Sequence, residues 1–75
     1  MIPVVTVKPL PAGWQVEATG HEPLMFRSGA RAERAARRLA EALAEREGAA
    51  AVSIYLRGGA FGGRFVFTRS ALAPV

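Results

Sequence analysis

The chain contains no cysteine, no aspartate and no asparagine, and only one lysine and one histidine. The lack of cysteine excludes disulfides and thiolate metal sites, which fits a reducing compartment. His21 has no second histidine for a metal site, and in its turn with Glu22 it has no serine, cysteine or aspartate nearby to form a triad. We therefore interpret His21 as an exposed turn residue.

Long apolar runs are also missing. No stretch approaches the roughly 20 apolar residues that a membrane-spanning helix requires. The opening residues show no basic start, long apolar segment or small-residue cleavage site of the kind found in signal peptides. We expect a soluble, cytoplasmic protein without membrane contact.

Among the charged residues, basic side chains outnumber acidic ones. Ten basic residues, nine of them arginine, stand against six acids, all glutamate, which gives a net charge of +4. Such a balance favours nucleic acid or an acidic protein as the partner. A codon bias toward G and C would produce the same arginine-rich composition, so both interpretations stay open.

The most regular segment runs from Ser28 to Gly48. Its apolar residues recur at helical spacing, at Ala32, Ala36, Leu39, Ala40 and Leu43. Ser28 is suited to cap the start and Gly48 to end the helix, so we predict a helix over residues 29–47. Its arginines, Arg31, Arg34, Arg37 and Arg38, lie toward the positive end of the helix dipole. They form either a solvated face of mixed charge or a contact for an acidic partner.

Alternating apolar residues and turn clusters predict strands on both sides of this helix. The predicted strands are residues 2–8, 14–19, 24–27, 52–57 and 64–68. The order βββαββ indicates one α+β domain over residues 1–75, with residues 70–75 frayed. We expect a single antiparallel sheet of four or five strands with one helix packed on one face.

Alternation along the strands divides their side chains between two faces. The predicted inward residues are Val5, Val7, Trp14, Val16, Leu24, Phe26, Val52, Ile54, Leu56, Phe65 and Phe67, together with Leu39, Leu43 and the rest of the helix stripe. The outward face is then predicted to carry Lys8, Arg27, Tyr55, Arg57 and Arg64, with one negative charge.

Several of these positions follow a shared pattern. The matching residues are Val7, Pro9, Gly13-Trp14, Val16, Phe26, Ser28, Ala32, Ala36, Leu39-Ala40, Gly48, Val52 and Ile54. From Val5 to about Gly59 the chain resembles a family of small bacterial domains of unknown function. These domains share a proline-ended first strand, a Gly-Trp-x-Val second strand and a closing hairpin. The chain departs from them in lacking a polar histidine at the first turn and in its longer, more apolar final hairpin. The resemblance implies the fold and no activity.

The segment from Gly58 to Gly63 is rich in glycine. It fits neither G-x-G-x-x-G nor the Walker spacing, and it leads into a strand where those motifs need a helix. It is either a plain hairpin turn or a contact site with Phe61 exposed at its tip. No glutamate is predicted to face inward, where its pKa would be raised for acid–base work, so we expect no enzyme. We also expect no cofactor and no metal site.

These observations predict a small non-enzymatic binding module. The first hypothesis is sequence-tolerant nucleic-acid binding by the open sheet face. Its contacts would be Lys8, Arg27, Arg57 and Arg64 on phosphates, with Tyr55 and Phe61 stacking on bases. The alternative is a protein-binding or weakly homodimerising module that uses the same face or a sheet edge.

Overall fold

A computed structural model describes residues 2–69 of the chain. Its elements are β1 (Val4–Leu10), β2 (Gly13–Ala18), β3 (Leu24–Phe26), α1 (Gly29–Glu47), β4 (Ala49–Tyr55) and β5 (Phe61–Thr68). The predicted α+β class and the βββαββ order are confirmed. The expectation that residues 70–75 fray concerns positions outside the described residues.

The five strands form one mixed sheet in the order β3-β2-β1-β4-β5. The pairs β1–β2, β2–β3 and β4–β5 are antiparallel, whereas β1 and β4 are parallel. The expectation of a wholly antiparallel sheet was therefore wrong at the central pair. The reason is topological: α1 carries the chain back across the sheet, so β4 runs in the direction of β3, which is also that of β1.

The helix has the predicted bounds and caps. The Ser28 hydroxyl accepts a hydrogen bond from the Arg31 amide at 3.2 Å, and the Gly48 amide donates to the Ala44 carbonyl at 2.8 Å. Gly48 has a φ of 97°, a conformation that favours glycine.

Small side chains bring α1 close to the middle of the sheet. The buried core consists of Ala32, Ala36, Ala40, Leu43 and Ala44 of the helix with Val5, Val7, Val16, Ala50 and Val52 of the strands. Because alanine adds only one carbon beyond the backbone, the helix can lie close to the strands at these positions. β4 begins at Ala49, before the predicted start at Val52, because Ala49, Ala50 and Ala51 pair with β5.

The predicted core is correct at its centre and wrong at its edges. Leu43 is buried, and Trp14, Phe26, Leu39, Ile54 and Phe67 are partly buried against the core. The predicted inward residues Leu24, Leu56 and Phe65 are instead 47%, 49% and 42% exposed. Leu24 and Phe65 lie on the two outermost strands, which a single helix covers poorly, and Leu56 lies beyond the end of β4.

Two further strand ends differ from the prediction. β1 continues through Pro9 to Leu10. Its pairing with β4 ends at Val7, opposite Ile54, so no hydrogen bond to β4 is lost because proline lacks an N–H. β5 begins at Phe61 rather than Arg64, with a bulge opposite Ile54 and Tyr55. Phe61 is therefore the first residue of a strand rather than the tip of a hairpin.

Candidate functional site

The side of the sheet that α1 leaves uncovered is called the open face here. Its side chains include Val4, Thr6, Lys8, Gln15, Glu17, Met25, Ala51, Ser53, Tyr55, Phe61, Arg64 and Val66. Cross-strand pairing arranges part of it as a polar row, in which Glu17, Thr6, Ser53 and Arg64 follow one another across four strands.

Lys8 carries a paired charge on the open face. Its Nζ lies 3.0 Å from a carboxylate oxygen of Glu17, whose other oxygen accepts a hydrogen bond from the Gln15 amide at 2.9 Å. The predicted phosphate contact at Lys8 would therefore compete with an existing ion pair.

Arg57 does not extend from the open face as predicted. β4 ends at Tyr55, and the Arg57 guanidinium turns across the end of the sheet to donate to the carbonyls of Leu10 and Gly13 at 2.5 and 3.1 Å. It also lies over the Trp14 ring, 4.9 Å from the ring centre. These contacts tie the β4–β5 loop to the β1–β2 hairpin, so Arg57 serves the fold.

Tyr55, Phe61 and Arg64 lie together beside the glycine-rich loop. The rings of Tyr55 and Phe61 meet edge to face with centres 5.6 Å apart, and Phe61 is 59% exposed. The Arg64 guanidinium donates to the Ser53 hydroxyl at 3.1 Å, which explains how Ser53 is buried on an otherwise open face.

A groove of about 520 Å³ runs between the β1–β2 turn and the β4–β5 loop. It is lined by Lys8, Pro9, Leu10, Pro11, Tyr55, Arg57, Gly58 and Gly59. Its walls are mostly apolar, and both of its cationic side chains already have partners. We therefore assign it no ligand.

Arg27 lies apart from the other predicted site residues. It follows β3 at one edge of the sheet, whereas Arg64 lies on β5 at the other edge. Four strand spacings separate these two edges, a distance of about 19 Å. The structure thus brings Lys8, Tyr55, Arg57, Phe61 and Arg64 to one region and leaves Arg27 outside it.

Arg27 instead adjoins a group of arginines on the helix. Arg31, Arg34 and Arg38 line a shallow depression of about 380 Å³ together with Phe26. Phe26 also lines the neighbouring depression that contains Arg27. Arg27, Arg31, Arg34 and Arg38 are called the arginine patch below. Sequence reasoning recognised the helical arginines as a cluster but did not select them as site residues, although their spacing of three and four was the available signal.

Hydrogen bonding distinguishes the arginine patch from the other cations. The side chains of five basic residues donate hydrogen bonds or form ion pairs, either with other side chains or with backbone carbonyls: Lys8, Arg37, Arg57, Arg64 and Arg69. Five other basic residues make no hydrogen bond or ion pair through their side chains within residues 2–69: Arg27, Arg31, Arg34, Arg38 and Arg46. Four of these five form the patch, and Arg46 lies in the last turn of α1.

The start of α1 raises the positive potential at Arg27 and Arg31. The first turn of α1 contains no acidic residue, so no carboxylate offsets the positive end of the helix dipole there. Arg34 is four residues from Arg38 and three from Arg31, a spacing that costs a few tenths of a kcal/mol per like-charge pair. The nearby Glu33 carboxylate is bound to Arg37 at 2.8 Å.

Residues 2–69 contain no group of three histidine or acidic side chains arranged to hold a metal ion. α1, the helix of this segment, does not combine the length and the apolar character that crossing a membrane requires.

Comparison of the chain with protein-family models, curated protein sequences and solved structures finds no match.

Proposed function

We propose that this protein is a nucleic-acid-binding module that contacts the phosphate backbone through the arginine patch. One observation carries the proposal: four arginines whose side chains make no hydrogen bond or ion pair within residues 2–69 lie just before and along the first half of α1. Their mutual repulsion lowers helix stability, and a polyanion that contacts them would relieve it. Arginine is also well suited to phosphate because its planar guanidinium can donate two hydrogen bonds at once.

The patch supports this function better than the open face does. On the open face Lys8 is paired with Glu17, and Arg57 is held by backbone carbonyls. Arg64 donates to the Ser53 hydroxyl, and it lies about 19 Å across the sheet from Arg27. The proposed site therefore keeps Arg27 from the original prediction and replaces the other cations with those of the helix.

The location of the aromatic rings indicates which part of the nucleic acid is contacted. Tyr55 and Phe61 lie near the opposite edge of the sheet, and Phe26 beside the patch packs partly against the core. Binding at the patch would therefore use phosphates without base stacking. We expect little sequence preference and no preference for single strands over duplex.

The resemblance to small bacterial domains of unknown function adds no partner to this proposal, because the matching positions are folding residues. A cytoplasmic location, expected from the sequence, would give the chain access to nucleic acid. The second candidate function is association with protein, and the exposed side chains of Phe61, Phe65 and Val66 favour it. These three residues belong to β5, at the edge of the sheet opposite to Arg27.

The test is a titration with duplex and single-stranded oligonucleotides at about 50 and 200 mM salt, followed by mapping of NMR shifts. We expect the affinity to fall steeply with salt, since binding to phosphate releases counterions. Shifts should cluster at Arg27, Arg31, Arg34 and Arg38. Shifts centred on Tyr55 and Arg64 would return the site to the open face, and no binding at about 50 mM salt would contradict the proposal.

A further inference from the structure

The two edges of the sheet differ in how well they resist pairing with another strand. β3 has three residues, whereas β5 has eight, with no proline and one charged side chain, Arg64. Long edge strands with little charge readily pair with another strand unless something blocks them. The bulge near Phe61 disrupts only the beginning of β5.

The direction of the free backbone groups on β5 follows from one hydrogen bond. The Arg69 amide donates to the Gly48 carbonyl at 2.9 Å, which places the backbone groups of Arg69 toward β4. Because inward and outward groups alternate along a strand, those of Phe65 and Phe67 also face β4. The backbone groups of Arg64, Val66 and Thr68 then face away from it, along an edge that no other strand of residues 2–69 covers.

We infer that β5 pairs with β5 of a second copy, antiparallel and about a two-fold axis at Phe65, to form a continuous ten-stranded sheet. This inference gives the second candidate function a definite partner, and it does not depend on nucleic-acid binding. A two-fold axis perpendicular to the sheet keeps both helices on the same side. The backbone N–H and C=O groups of Arg64 then form hydrogen bonds with those of Val66 in the second copy.

Charge selects this register among those that the symmetry allows. Two registers pair most of β5, one centred on Arg64 and one centred on Phe65. The first places Arg64 directly opposite its own copy, which is unfavourable, whereas the second places it opposite Val66. A register centred on Val66 pairs fewer residues.

Side chains on both faces of β5 also fit a second copy. Phe65 is 42% exposed on the helix side, and the two-fold axis would bring it against its own copy. Arg37 lies over the Phe65 ring, 4.4 Å from its centre, and its ion pair with Glu33 offsets the charge near the axis. Val66, 59% exposed on the open face, would gain cover from Arg64 of the second copy. We expect a weak dimer, because each copy contributes a single strand.

The first measurement is hydrogen exchange of the unmodified chain at about 20 µM and about 1 mM, without nucleic acid. The amides of Arg64, Val66 and Thr68 should gain protection with concentration, while those of Phe65 and Phe67 are protected at both. The absence of a concentration-dependent change at Val66 would overturn the inference.

The second measurement is sedimentation of Val66→Glu and Val66→Lys. In the proposed register the new carboxylate lies opposite Arg64 of the second copy, so Val66→Glu should tighten the dimer and Val66→Lys weaken it, each on the order of tenfold. Met25→Glu and Met25→Lys change the net charge equally at the other edge, where Met25 is 61% exposed, and should change dimerisation little. Circular dichroism checks that each variant folds.

Weakening of the dimer by both Val66 variants would indicate that Val66 lies opposite Val66 of the second copy and would contradict the register. Equal effects of the Val66 and Met25 variants would attribute the change to net charge and would contradict dimerisation through β5.

Discussion

The guanidinium of Arg57 lies over the ring of Trp14, 4.9 Å from its centre, and donates to the backbone carbonyls of Leu10 and Gly13. This contact joins the chain just after β4 to the β1–β2 hairpin. Trp14 and Arg57 are 43 positions apart in the sequence. Arg57 therefore stabilises the fold.

We therefore expect Arg57→Ala to lower the free energy of unfolding by about 1–2 kcal/mol, from the loss of two hydrogen bonds and a cation–π contact. Arg57→Lys should recover only part of this, because an ammonium group cannot reach both carbonyls as the guanidinium fork does. Urea unfolding measures the change. A fully stable Arg57→Ala variant that no longer binds oligonucleotides would show that Arg57 belongs to the binding site after all.

The close packing of α1 on the sheet gives a second test. Ala36 is fully buried, whereas Ala42 on the same helix is exposed. Ala36→Leu should destabilise the protein by about 1–3 kcal/mol through overpacking. Ala42→Leu introduces the same side chain into the same helix and should stay within about 0.5 kcal/mol. Equal effects of the two substitutions would contradict the assigned helix face.

Gly13 provides a third test, because a β-carbon at this position would lie 2.6 Å from the carbonyl oxygen of Phe26. The backbones of β2 and β3 approach so closely there that no side chain fits without a shift of one strand. Gly13→Ala should therefore cost about 1–3 kcal/mol. A thermal melt checks this, with Ala12→Gly in the adjacent exposed turn as a control for the turn itself. A wild-type melting temperature for Gly13→Ala would refute the close approach.

The fold could be predicted from the sequence wherever local signals agreed. Ser28, the alanine stripe and Gly48 together marked the helix to the residue, and alternation located all five strands. Gly13, by contrast, looked like a turn glycine, because its close contact is with Phe26, thirteen positions away. The parallel pairing of β1 with β4 could not be predicted from strand patterns alone, because it depends on how the helix crosses the sheet.

The candidate site was harder to predict because alternation gives the face of a residue but not the partners of its side chain. Lys8 was correctly placed on the open face, yet its ion pair with Glu17 depends on the diagonal offset between β1 and β2. Arg57 was misplaced because β4 ends two residues earlier than the alternation implies. The arginine patch differs from most of the other cations in its lack of side-chain hydrogen bonds and ion pairs within residues 2–69, and the sequence does not give those contacts.

The central claim is that the arginine patch binds phosphate. Arg34→Gln and Arg46→Gln test it as a matched pair. Both remove one charge from an arginine of α1 whose side chain makes no hydrogen bond or ion pair within residues 2–69, and Arg34 belongs to the patch whereas Arg46 does not. The measurement is the slope of log affinity against log salt for a duplex oligonucleotide. We expect Arg34→Gln to weaken binding and reduce the magnitude of the slope by about 1, while Arg46→Gln leaves the slope unchanged. Equal changes in the two variants would mean that net charge alone drives binding and would contradict the claim.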